Sequence, residues 1–335
     1  MFILLFLLAL TSTQCSKNPS ENIKPFSSLT ATSNSLYGIP ISVTASDTVY
    51  QVSRPITLTG VSGIVISLQA ITGLGADCIT LNNCSNITIT NCIFHNSTGN
   101  GITLYQCKNI TITNCFIYSV ASGIYALESS AVNINNNQFL NMQGPFPGGQ
   151  FVQFDNVSGT GNRVNSNRGE NIQGSSNPED AISMYESNGT VADPIQIGGN
   201  WIRGGGPSQT GSGIMLGDDG GSYQIVKNNV LVNSGNAGIG IASGNNIQII
   251  NNKIYGIQQA FTNVGLYVWN EYDSGCSMNT VSGNQVRWTD SSGADNGCWN
   301  GKNCGKITGW SSNTWKAKID ATILPVEIIT KQFPQ

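Results

Sequence analysis

Charge is what this sequence has least of. Asp, Glu, Lys and Arg make up 10% of the chain, against roughly 25% in ordinary soluble domains. Fifteen basic residues face 18 acidic ones, for a net charge of -3. That balance leaves no electrostatic footprint for nucleic acid or an anionic membrane. A strongly anionic polymer would also find little general attraction, which points to a neutral or weakly charged ligand. Histidine occurs once, as His95, and no tight cysteine pair is present, which argues against zinc. The Gly-rich stretch GDDGG (217–221) lacks the lysine and strand-to-helix context of a phosphate loop, so nucleotide binding is a poor reading.

Long apolar runs are missing too. Phe2–Leu10 is too short to span a bilayer and reads as an export signal, with residues 1–14 as the leader. Cys15, followed by Ser16 and Lys17, resembles the first residue of a mature bacterial lipoprotein and would carry a lipid anchor in that case. The expected location is secreted, or periplasmic or outer-membrane as a lipoprotein. Residues 15–38 are polar and rich in Pro and Ser, as in a linker or N-terminal cap.

What fills the chain instead is Gly, Asn, Ser and short β-branched runs. DCITLNNCSNITITNCIF, NGITLYQCKNITITNCFI and SGIYALESSAVNINNNQF follow one another, with Ile79, Ile102 and Ile124 equivalent, at spacings of 23 and 22 residues. Units this short, made of alternating strands and Asn turns, have no room for a helix and read as coils of a β-solenoid. One coil cannot bury its own apolar face, so stacking must close the core. The pattern loosens but continues through FVQF, AISMY, GIML, GIGI and GLYV, giving a solenoid over 39–315 and a cap or tail over 316–335.

Asn91, Asn114, Asn136, Asn200, Asn229, Asn252, Asn284 and Asn313 precede apolar pairs at similar places and are expected to stack as a ladder of amides. A buried ladder would close the Asn-x-Thr sequences at Asn86 and Asn109 to glycosylation. Cys84 and Cys107, and Cys92 and Cys115, recur coil to coil and read as small buried hydrophobes. Cys276, Cys298 and Cys304 lie in Gly-rich sequence. There a Cys298–Cys304 bridge, or one of these two with Cys276, is expected in an oxidising compartment.

Over residues 39–315 the chain resembles the right-handed single-stranded parallel β-helix of pectate lyases, polygalacturonases, mannuronan epimerases and phage tailspikes. The resemblance implies an all-β fold and a polysaccharide or oligosaccharide partner, in a monomer or a side-by-side homotrimer. It identifies chemistry poorly, because the fold hosts many activities. GIMLGDDGG (213–221) resembles the paired Asp of polygalacturonase-like hydrolases, but that family's Gly-His-Gly and Arg-Ile-Lys motifs are absent. Glu179 to Trp310 is more similar to secreted bacterial β-helix repeat proteins.

Aligning Ile182, Ile214, Ile239 and Leu266 puts Glu186, Asp218, Ser243 and Asn270 in one stack, with Asp219 and Glu271 one place beyond. At ~4.8 Å between coils, Glu186 and Asp218 would lie side by side as acid and nucleophile or base of a glycoside hydrolase. Asp219, Asp180 and Glu271 would support them. The same oxygens of Glu186, Asp218 and Asp219 could instead hold calcium for a polysaccharide lyase or epimerase; hydrolysis needs no cofactor. A lyase would draw its base from Lys227, Arg203 or Arg168, with Tyr185 or Tyr267 as donor. Tyr185, Tyr267, Trp269, Tyr272 and Trp299 form either a sugar platform or, for the two Trp, packing beneath the Cys-rich loop. A non-catalytic glycan-binding solenoid is the third reading.

Overall fold

A computed structural model describes residues 40–41, 49–272 and 274–331. The expected leader, Cys15 and the 15–38 segment lie outside the described residues. Each coil carries three short strands, and equivalent strands stack into three long sheets. The first face has ten strands, from Ile56–Thr59 to Cys298–Asn300. The second has nine, from Val65–Ser67 to Thr280–Ser282, and the third eleven, ending at Gln285–Trp288. Among the described strands pairing is parallel, except where Pro40–Ile41 runs antiparallel to Tyr50–Ser53.

Alternation decides what the coils bury. On the first face Ile79, Ile102, Ile124, Val152, Ile182, Ile214, Ile239 and Leu266 form one row, each nearly or fully removed from solvent. Burying each such side chain contributes roughly 1.5–3 kcal/mol, which a single coil could not collect alone. The intervening residues point outward in a second row: Thr80, Thr103, Tyr125, Gln153, Ser183, Met215, Gly240, Tyr267 and Trp299.

The turn from the second face to the third contains two adjacent rows. Asn91, Asn114, Asn136, Asn228 and Asn251 have φ of 51–57°, the left-handed region that Asn tolerates better than most residues. One position later comes the buried ladder: Asn137, Asn167, Asn200, Asn229, Asn252, Asn284 and Asn313. Each amide oxygen there accepts the backbone N–H of the residue below, at 2.9 Å in every case. Asn200, Asn229, Asn252, Asn284 and Asn313 therefore stack as expected. Asn91, Asn114 and Asn136 do not; they set the left-handed turn beside the ladder. In the early coils Cys92 and Cys115 occupy the ladder row itself, donating their thiols to Thr90 O and Thr113 O. Asn86 and Asn109 lie on neither row. They are exposed and bonded to each other at 2.7 Å, so the ladder does not close them to modification.

The far end is closed by Trp310 and Trp315, whose rings lie 4.8 Å apart against the core. The chain then turns back along the third face. Leu324 and Ile328 are buried against Val232, Arg203 donates to Val326 O at 2.8 Å, and Thr330 bonds Gln138. Among the described residues no helix is long and apolar enough to cross a membrane.

The disulfide joins Cys276 to Cys304, and Cys298 keeps a free thiol. Cys298 fails as partner because it continues the row of Leu266 in the first-face sheet, whereas Cys304 is carried by the loop beyond it. The bridge closes a 28-residue separation, for which loop-closure entropy gives about 3–4 kcal/mol. Cys276→Ser should therefore lower stability in urea by about that much, while Cys298→Ser should leave the midpoint nearly unchanged.

Candidate active site

One local irregularity builds the site. Ser183 pairs with Met215, but two residues later Tyr185 pairs with Asp218, so the 212–218 strand carries one extra residue. Such a bulge re-aims the side chains that follow it. Its pivot is Gly217, at φ 56°, where an added Cβ would sit 1.9 Å from Ser243 O. Only glycine fits. The bulge turns Asp218 to the outer surface of the first face, within 3.5 Å of the Ser183 hydroxyl.

This overturns the alignment of Glu186 with Asp218. Glu186 is one place further on; its N–H donates to Asp218 O at 2.8 Å, but its carboxylate turns to the coil below and accepts from Asn156 at 2.9 Å. Asp219 takes the Tyr185 hydroxyl at 3.1 Å. Asp180 is buried at the entry of the neighbouring strand and accepts the Ser212 N–H at 2.7 Å.

Tyr267 completes the cluster from two coils away. Its ring lies over Gly240, where a Cβ would meet it at 2.4 Å, and its hydroxyl reaches the Met215 sulfur at 3.2 Å. Burial first, and then the charges of Glu271, Asp180 and Asp218, hold this phenol well above its ordinary range. Tyr185 is pushed up likewise, by burial and then by Glu186 and Asp219. So is Tyr272, by burial and then by Asp218.

The carboxyls respond in the same sense. Burial raises Asp218 to about 6, with Asp219 and Glu179 adding to the rise while hydrogen bonds from Tyr272 and Ser183 oppose it. Glu271 is raised to about 7 by burial of its carboxyl and then by the Asp218 charge, although the residue as a whole is exposed, so solvent screens it more than Asp218. Asp180 rises well above the usual carboxylate range through burial, then Glu179 and Asp218. The charged neighbours that raise these three groups are all acids.

The remaining sequence candidates divide. Trp269 and Trp299 meet edge to face at 5.7 Å on the same face and stay exposed, at 37% and 46%. Lys227 ends a second-face strand, and Arg203 sits on the third face bound to Glu170 and the returning tail. Neither reaches the acids, because each falls on a different side of the coil. Arg168 is likewise on the third face, 4.7 Å from the Trp201 ring. His95 packs against Tyr118 at 5.0 Å. Among the described residues no three His, Cys, Asp or Glu converge as a metal cluster. Sequence reasoning underrated Tyr272, Ser183 and Met215; none has a distinctive spacing, and only the bulge and the Tyr267 ring over Gly240 bring them together.

A family model described as "Right handed beta helix region" matches residues 55–207. The fold is a right-handed parallel β-helix. No curated protein matches the chain. Among solved structures, the catalytic domain of a GH87 alpha-1,3-glucanase in complex with nigerose is similar at 15% identity and a TM-score of 0.49, covering 76% of this chain and 55% of that one. An Asp-to-Ala variant of such a catalytic domain, in complex with tetrasaccharides, is similar at 15% identity and a TM-score of 0.44, covering 79% and 64%. The chain thus spans little more than half of the first of these. At that identity the likeness concerns the backbone alone.

Proposed function

We propose that this protein is a glycoside hydrolase acting on a neutral polysaccharide, with its active site on the first face of the β-helix. The observation that carries the reading is Asp218, an acid turned outward by a bulge and raised to about 6. A carboxyl that still holds its proton at mildly acidic pH, where an ordinary Asp has lost it, is what protonation of a leaving glycosidic oxygen requires. Asp218 is the general acid. Asp219, held by Tyr185, is the carboxylate that activates water or attacks the sugar, a role that passes to it from Glu186. Asp180 and Glu271 add their charge around Asp218 and keep its surroundings negative. A uronate would bring its own negative charge into that cluster, which is why a neutral glycan fits better.

The test is incubation of the purified protein with neutral and uronate polysaccharides, with calcium and with chelator. New reducing ends from a neutral glycan, without ultraviolet absorbance, are the expected result. Absorbance from unsaturated ends would replace hydrolysis by a lyase. Loss of activity with chelator would assign Asp218 and Asp219 to a bound calcium ion.

A further inference from the structure

Asp218 lies beside the middle of a continuous outward row, next to its Ser183 position, and the row is unequal on its two sides. Toward the N-terminal coils it holds Gln153, Tyr125, Thr103 and Thr80. Toward the C-terminal coils it passes Gly240, roofed by Tyr267, and ends at Trp299, which pairs with Tyr267 in the next coil. The exposed aromatic area is therefore concentrated on one side, in Trp269, Tyr272 and Trp299.

That corner is held in place. The Asn303 amide grips the backbone next to Trp269 from both directions: its oxygen accepts Asn270 N–H at 2.8 Å and its Nδ2 donates to Asn270 O at 2.9 Å. Gly301 lets the two indoles close, since a Cβ there would lie 2.9 Å from the Trp269 ring and 3.3 Å from Trp299. The adjacent Cys304 is tied to Cys276. The buried side-chain oxygen of Asn270 has no hydrogen-bond partner among the described residues, leaving an acceptor in the segment that links Trp269 to Glu271. Two packed indoles need no such clamp merely to cover the core, because both keep more than a third of their surface in solvent.

We infer that the Trp269–Trp299 corner is a remote sugar-binding subsite, and that a neutral glycan lies along the helix axis from this corner to Asp218. Indole faces suit the apolar faces of pyranose rings, and rigid aromatics bind at low entropic cost. Three coil steps separate the Asp218 strand from that of Trp299, about 14 Å at the usual interstrand spacing. One sugar ring cannot bridge that distance, so the corner engages only longer oligosaccharides and sets the shortest good substrate. The inference rests on the hydrolase reading for its direction, while binding at the corner is measurable without turnover.

The experiment uses Trp299→Ala and Asn303→Ala beside the intact protein, with neutral gluco-oligosaccharides from disaccharide to hexasaccharide. Calorimetry gives affinity in an Asp218→Asn background, and reducing-end release gives kcat and KM. Trp299→Ala should weaken hexasaccharide binding about 10-fold or more and raise KM for long substrates. Disaccharide behaviour and kcat should hardly change. Asn303→Ala, which removes no aromatic surface, should show a smaller loss with the same length dependence. Equal losses at all lengths would overturn the remote subsite, as would unchanged affinity for the hexasaccharide. Length-dependent binding without any hydrolysis would keep the subsite and remove the hydrolase reading instead.

Discussion

Asp218→Asn should lower hydrolysis by about 10²–10⁴-fold, the usual contribution of a general acid, and at the same time make the protein more stable above neutral pH. The second half follows from the direction of the shift. Asp218 is raised to about 6 in the fold, while an unfolded Asp ionises near 3.9. The folded state therefore holds the proton more tightly than the unfolded chain. Stability is fully present below the unfolded value and is lost as pH climbs through 6; Glu271, at about 7, extends the decline. At pH 8 the ionised Asp218 costs up to about 3 kcal/mol, and less once water at its open edge screens it. Asn carries no charge at any pH, so the variant should lose part of this decline. Thermal midpoints between pH 4.5 and 8, paired with reducing-end rates, check both halves. An inactive variant that is also less stable at pH 8 would make Asp218 a structural residue. Retained activity would remove it from the chemistry.

Stability sacrificed at a cluster of acids is common at functional sites, and it marks the part of this molecule that sequence patterning reads least well. The solenoid was legible because Ile79, Ile102 and Ile124 repeat at nearly constant spacing, and each repeat obeys the same alternation. The inward register of Ile182, Ile214, Ile239 and Leu266 was legible for the same reason. The register of the acid cluster was not. One extra residue at Gly217 moves every outward side chain after it by one place, and in a strand one place is the difference between faces. The amide ladder failed similarly in the first coils: Asn91, Asn114 and Asn136 have the right residue type in the adjacent row, where a left-handed backbone favours the same amino acid. Cys298 misled because Gly-rich surroundings suggested a loop where the chain forms a strand. Tyr267 and Gly240 belong together only in three dimensions, since a missing side chain in one coil makes room for a ring from the next.

The ladder itself gives the largest expected loss of stability. Asn229 is fully buried and makes its side-chain bonds in both directions along the axis. Its oxygen accepts both the N–H and the side-chain amide of Asn200, each at 2.9 Å; its own amide donates to Ile197 O and to Asn252, again at 2.9 Å. Asn229→Ala would leave the Asn200 N–H and Ile197 O buried without partners, at roughly 1–3 kcal/mol each, for a total of about 2–6 kcal/mol. Asn229→Cys should recover part of this, because Cys92 and Cys115 occupy the same row and direct their thiols to backbone carbonyls. Asn313→Ala should cost less, because that end of the ladder is only partly buried and water can take over its bonds. Urea unfolding of the three variants would rank them. Equal losses of under about 1 kcal/mol would mean that water enters the row wherever an amide is missing, and that the stacked apolar rows alone hold the coils in register.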